Sequence, residues 1–189
     1  MSSPNAAAHT ISQRNKMAMM YGLILGLIYI VVISLANMTV NTLFLFSLLR
    51  FAGYMGYLVI LGFMLARIRK ANGGYIELRE VFGTAFIILV IAGGLSHIYQ
   101  DVYVYMIDPG YIEKLLKATK ESWGTGRIPD QKIAEMIAEM KKSVAFNLGN
   151  TMLGFFSNIF IDCLFGLVVC LIIKKKRPPI ENHSVGQSM

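Results

Sequence analysis

The sequence predicts an all-α membrane protein: four transmembrane helices with an extracytoplasmic amphipathic helical hairpin between spans three and four. Three observations carry that reading. Four long apolar runs, Met17–Ala36, Leu43–Ala66, Val81–Tyr105 and Leu148–Ile173, are separated by polar punctuation. Each is long enough to cross a hydrocarbon core of about 30 Å at about 1.5 Å per residue, and a bilayer core offers no water to satisfy backbone groups, so such runs span as helices. The composition agrees, with 55% hydrophobic and only 15% charged residues in 189. A chain of this length with four spans is one bundle, not two domains.

Residues 1–16 are small and polar and are expected to stay disordered, as is the tail 177–189, because neither can bury enough apolar surface to order itself. Arg14 and Lys16 precede the first run, and Ser34-Leu35-Ala36 offers small residues for signal cleavage. The run exceeds the roughly 7–15 apolar residues of a signal peptide, so an uncleaved first span is expected. Asn37 through Asn41 form a turn to span two, and Asn72-Gly73-Gly74 punctuates the passage to span three.

Basic residues crowd the ends of the runs, as in Arg67-Ile68-Arg69-Lys70 and Lys174–Arg177. The net charge of +7 could suggest nucleic acid, but there is no basic stripe interleaved with aromatics, so no nucleic-acid partner is expected. Anionic headgroups and the positive-inside rule account for such clusters, and place both termini in the cytoplasm.

The segment between spans three and four then faces outward. Asp108-Pro109 reads as an N-cap with proline at the first helical position. Ile112, Leu115, Leu116, Thr119 and Trp123 share one helical face, with lysines and glutamates opposite. Gly124–Pro129 interrupts, and Asp130 begins a second helix striped by Ile133, Met136, Ile137, Met140 and Val144. The result is a hairpin over 108–146 whose apolar faces need burial in each other, in the bundle end or in the interface.

Two short motifs add a likeness. Asn72-Gly73-Gly74-Tyr75-Ile76 with Phe82 entering span three, then Ile107-Asp108-Pro109 opening an amphipathic helix, resembles a family of small bacterial inner-membrane proteins. That family is catalogued as domain of unknown function 4199, and the likeness covers residues 17–176. It implies a four-span integral inner-membrane protein and supplies no site to transfer.

Polar residues within the spans are the candidate functional groups. Asn150, Gly154, Asn158, Asp162, Gly166 and Cys170 recur at every fourth position of span four, and Ala18, Gly22, Gly26 and Ser34 repeat the device in span one. Small residues at that spacing suit close helix crossings, so Gly22, Gly26, Gly154 and Gly166 are read as packing positions. Asp162 lies deep in its span, with Tyr29 and Tyr57 at similar depth as hydrogen-bond donors. An intramembrane carboxylate is a functional hypothesis by default, with proton-coupled transport set against a neutral acid that fixes helix register. Nearer the outside, Gly93, His97 and Asp101 share a stripe on span three, and Arg50 enters at a similar level on span two. Arg50 with Asp101 is the most economical pair, with His97 and Asn158 completing the hydrogen bonds; a solute or proton path and a metal site are the competing readings.

No metal, cofactor or enzymatic activity is expected. His97 and Asp101 are only two ligands, and Cys163 and Cys170 lie about 10.5 Å apart along one helix, too far for a disulfide. No nucleophile–base pair, phosphate loop or outward CxxC is present. The expected role is accessory or protein-interacting in the cell envelope. The lipid bilayer is the first partner, and a second copy or another membrane protein meets the outer hairpin. A small oligomeric transporter or channel using Asp162 is the alternative.

Overall fold

The structure is a computed structural model and describes residues 4–123, 129, 131–132, 134–136, 138–139 and 148–175. The helices bounded by described residues are α1 Pro4–Met38, α2 Leu43–Ala71, α3 Leu78–Val102, α4 Tyr111–Trp123 and α5 Leu148–Ile173. Among the described residues four helices are long and apolar enough to cross a membrane, over Ile11–Met38, Leu43–Ala71, Leu78–Ile107 and Thr151–Ile173. The four expected spans are therefore present.

Their ends differ from the expected bounds for local reasons. Residues 4–16, expected to be disordered, continue α1 as helical backbone from Pro4. Proline is well suited to a first turn, and Ala6-Ala7-Ala8 follows it with the best helix former. α2 runs on through Arg67, Arg69 and Lys70, whose charges favour the negative end of the helix dipole.

α2 stops in a Schellman turn. Gly74 donates its N–H to Arg69 O at 2.9 Å and Gly73 to Lys70 O at 3.2 Å. Gly73 and Gly74 have φ of 77° and 85°, the left-handed region in which only glycine is unstrained. Glu77 then caps α3 in a capping box with Glu80. The chain around this turn is tied to the end of α5: Ile76 and Lys175 exchange two backbone hydrogen bonds of 3.0 Å each, and Arg69 donates to Ile173 O at 2.9 Å. This end of the bundle, where Arg14 also meets Glu80 at 2.8 Å, is called here the tail end.

α1 packs mainly on α3, α3 on α5, and α2 on α1 and α5, so the order around the bundle is α1, α2, α5, α3. The core runs along this bundle through Leu25, Leu61, Leu65, Ile88 and Leu89, each fully buried. The parallel pair α1–α3 crosses closely. A Cβ on Gly22 would lie 2.9 Å from Ile91 Cβ, and one on Gly26 would lie 3.1 Å from Ala92 Cα. Large apolar side chains such as Leu27, Phe63, Phe160 and Ile172 face outward, as a lipid environment requires.

At the other end α3 passes into a π-helical turn, Tyr103–Ile107, closed by Asp108 N–H to Tyr103 O at 2.8 Å. Pro109-Gly110 is a turn, so α4 begins at Tyr111, three residues after Asp108, and the Asp108 carboxylate takes Lys114 Nζ at 2.7 Å. The cap expected at Asp108 is thus displaced: its carboxylate is taken by Lys114, and the first α-helical bond of α4 runs from Lys114 N–H to Gly110 O at 3.0 Å. α4 seats Tyr111 on Val40 and Val104 and buries Leu116, Ala118 and Thr119, leaving Lys117, Lys120 and Glu121 exposed. The second half of the expected hairpin lies largely outside the described residues, as does the tail 177–189; the described positions from 131 to 139 have helical backbone.

Candidate functional site

Two polar levels cross the bundle. The upper one, at the α4 end, is centred on Arg50, two turns into α2. Its Nη2 donates to Asn37 Oδ1 at 3.1 Å and to Gln100 Oε1 at 3.0 Å. Asn37, only 1% exposed at the end of α1, donates Nδ2 to Gln100 Oε1 at 3.2 Å and accepts the Tyr111 hydroxyl at 3.2 Å. Four elements therefore meet on one guanidinium. Phe46 lies against it with its ring centroid 5.2 Å from Cζ. Burial pushes the Tyr111 phenol above its ordinary value, with the Arg50 charge beside it pulling the other way, so the hydroxyl stays a proton donor at neutral pH.

Arg50 and Asp101 do not form the expected pair. No carboxylate among the described residues lies within the 4.0 Å of a salt bridge from Arg50. The reason is angular. Gln100 is one residue from Asp101, about 100° around α3, and it is Gln100 that faces α1 and α2. Arg50 is balanced instead by amide oxygens and by the C-terminal end of α1, where the helix dipole is negative. Asp101 sits half-buried beside His97, its Oδ2 3.9 Å from His97 Nε2, and that nitrogen is 3.1 Å from Thr151 O on α5. His97 also packs on the Phe155 ring, with centroids 5.6 Å apart. Among the described residues no three His, Cys, Asp or Glu side chains cluster as metal ligands do.

The lower level is centred on Asp162, eleven residues into its span and so about 17 Å below the span's α4 end. Tyr54 on α2 donates its hydroxyl to Asp162 Oδ1 at 2.9 Å. The other oxygen faces α3, where a Cβ on Gly93 would lie 3.6 Å from Oδ2. Tyr57 stacks on Tyr54 with centroids 6.0 Å apart and meets Tyr29 at 4.9 Å with the rings tilted by 45°, making a three-tyrosine column across α1 and α2 beside the carboxyl. Tyr57 is 4% exposed, and among the described residues its hydroxyl has no hydrogen-bond partner.

The profile of a family described as "Protein of unknown function (DUF4199)" matches residues 20–175. The chain belongs to that family. Neither a curated protein nor a solved structure matches it.

In this DUF4199 protein the matched region holds both polar levels and all four spans. The fourfold stripe on α5 is not a single contact face. The side chains against α3 are Phe155, Ile159, Asp162 and Leu89-facing Gly166, spaced by four, three and four. Asn158 is turned about 60° from Phe155 and is exposed; it does not join His97 and Arg50. Gly166 lies hard against Leu89, whose Cδ1 is 2.7 Å from a built Cβ, whereas Gly154 has only an ordinary 3.7 Å approach to His97. Residues to which sequence reasoning gave no site role complete the site: Asn37, read only as a turn residue, as the hub at the α4 end, Tyr54 as the donor to Asp162, and Ser34, read only as a small residue of span one, whose hydroxyl is 2.6 Å from Tyr99 Oη. The signal for Tyr54 was present, since it stands one turn below Arg50 on the same face of span two.

Proposed function

We propose that this DUF4199 chain is an accessory or protein-interaction protein of the bacterial inner membrane, serving the cell envelope, with both termini cytoplasmic and α4 outside as its partner-facing surface. It carries no catalytic centre in this reading. The supporting observation is where the buried polar groups go. Arg50 is spent on Asn37 and Gln100, His97 on Thr151 and Asp162 on Tyr54, so each ties one helix to another. α4 is meanwhile held to the bundle by Tyr111 and turns Lys117, Lys120 and Glu121 outward. The test joins cross-linking in native membranes with flux measurements on the purified full-length chain in vesicles. Charge reversal at Lys117 and Lys120 should abolish cross-linking to membrane partners, and the unaltered protein should conduct neither protons nor ions. A proton flux abolished by Asp162→Asn with the fold intact would replace this reading.

That replacement is the second reading, a small oligomeric transporter or channel. It is favoured by the tyrosine column, which runs from Tyr29 on α1 through Tyr57 to Tyr54, the donor to Asp162.

A further inference from the structure

Asn158 stands apart from the other intramembrane polar groups. Its amide is exposed seven residues inside the span Thr151–Ile173, about 10 Å below the span's α4 end, and it makes no hydrogen bond within the described residues. In hydrocarbon an amide without a partner is costly, and lipid chains supply neither donor nor acceptor. Something polar must cover this face.

The surroundings indicate its shape. From Asn158 the positions Ile161, Phe165, Val168 and Ile172 follow at spacings of three, four, three and four, and all are exposed. That is the seam of a left-handed helix pair, running the length of α5 along its border with α2, where Phe165 also meets Tyr54 edge-on with centroids 5.8 Å apart. α2 and α5 are also the two spans that bury least within the chain. A polar residue at one position of an otherwise apolar seam is the arrangement that fixes register between paired helices.

We propose that this face of α5 is a self-association surface, on which a second copy of the chain packs its own α5 so that the two Asn158 amides hydrogen-bond to each other. Symmetry makes a second copy the fitting occupant. In a dimer with its two-fold axis along the membrane normal, the two α5 helices run parallel and Asn158 meets Asn158 at the same depth. An amide carries both a donor and an acceptor, so one residue type satisfies itself across that axis. The proposal is independent of the accessory role, since either an accessory protein or a transporter could use it.

The experiment uses full-length protein, labelled at its amino terminus with donor or acceptor dye, in phosphatidylethanolamine–phosphatidylglycerol vesicles diluted with lipid. Asn158→Leu should weaken association by about three- to thirtyfold, the range for one interhelical hydrogen bond in a membrane, while Asn158→Gln retains it. A second measurement leaves Asn158 intact: in a Cys163→Ser, Cys170→Ala background, Ile161→Cys should form an intermolecular disulfide under oxidant and Leu27→Cys on α1 should not. Energy transfer absent at every dilution, association unchanged in Asn158→Leu, or equal cross-linking at positions 161 and 27 overturns the proposal. So does capture of a lipid or of a different protein at position 161 by an otherwise monomeric chain.

Discussion

Tyr54 and Asp162 are joined by a hydrogen bond of 2.9 Å that ties α2 to α5 near the middle of the membrane. The donor is a phenol, so the bond survives whether the carboxyl is charged or neutral, and asparagine can accept it as well. Asp162→Asn should therefore leave the fold intact. Tyr54→Phe should cost about 0.6–2 kcal/mol, the range of interhelical hydrogen bonds in membranes, and the double variant Tyr54→Phe, Asp162→Leu less than the sum of its singles. Reversible unfolding in mixed micelles checks both statements; an Asp162→Asn protein that fails to refold would contradict the first.

Arg50 gives a sharper contrast. Because its guanidinium bonds to Asn37 and Gln100, Arg50→Ala and Asn37→Ala should be strongly non-additive. Arg50→Ala and Asp101→Ala should add to within about 0.5 kcal/mol, as residues without a shared contact do. A coupling energy for Arg50 with Asp101 larger than that for Arg50 with Asn37 would reverse the assignment.

The glycines should not be equivalent. Gly22→Leu and Gly26→Leu force bulk against Ile91 and against the α3 backbone, with Cβ distances of 2.9 and 3.1 Å before the rest of the side chain is placed. Overpacking of this kind costs about 1–3 kcal/mol or more. Gly154→Ala, with its nearest neighbour at 3.7 Å, should be close to neutral. Thermal aggregation of the three purified variants ranks them, and equal losses at positions 22 and 154 would refute the crossing geometry.

Tyr111 should control the docking of α4. Tyr111→Phe removes a hydrogen bond to Asn37 worth about 0.5–1.5 kcal/mol and should speed amide exchange across α4 while leaving the four spans protected. The phenol's pKa is raised in the folded state, so its contribution is complete below the ordinary value of 10.0 and fades as pH climbs beyond it. Exchange in α4 that is unchanged by the substitution would show that apolar contact with Val40 and Val104 suffices.

Orientation is accessible by reporter fusion. The exposed bases Lys16, Arg67, Lys70, Arg79 and Lys174 gather at the tail end, so a fusion at Gly73 should report cytoplasm and one at Lys120 the opposite side. The reverse pattern would invert the proposed topology and with it the role given to α4.

The sequence by itself determined the helical class, the four spans and the punctuation at Gly73-Gly74, because each depends on local chemistry. Run length is matched to a bilayer, and glycine is the residue that turns left-handed without strain. It also determined which polar side chains lie within the membrane. Only the tertiary structure decided who meets whom. Gln100 rather than Asp101 faces Arg50, Tyr54 rather than Tyr57 reaches Asp162, and Asn158 turns outward from a stripe whose neighbours turn in. Adjacent residues on a helix differ by about 100° in direction, and spacing within one helix says nothing of where the next is placed or how it is rotated. Depth in the membrane could be counted from the chain; rotation about each axis had to come from packing.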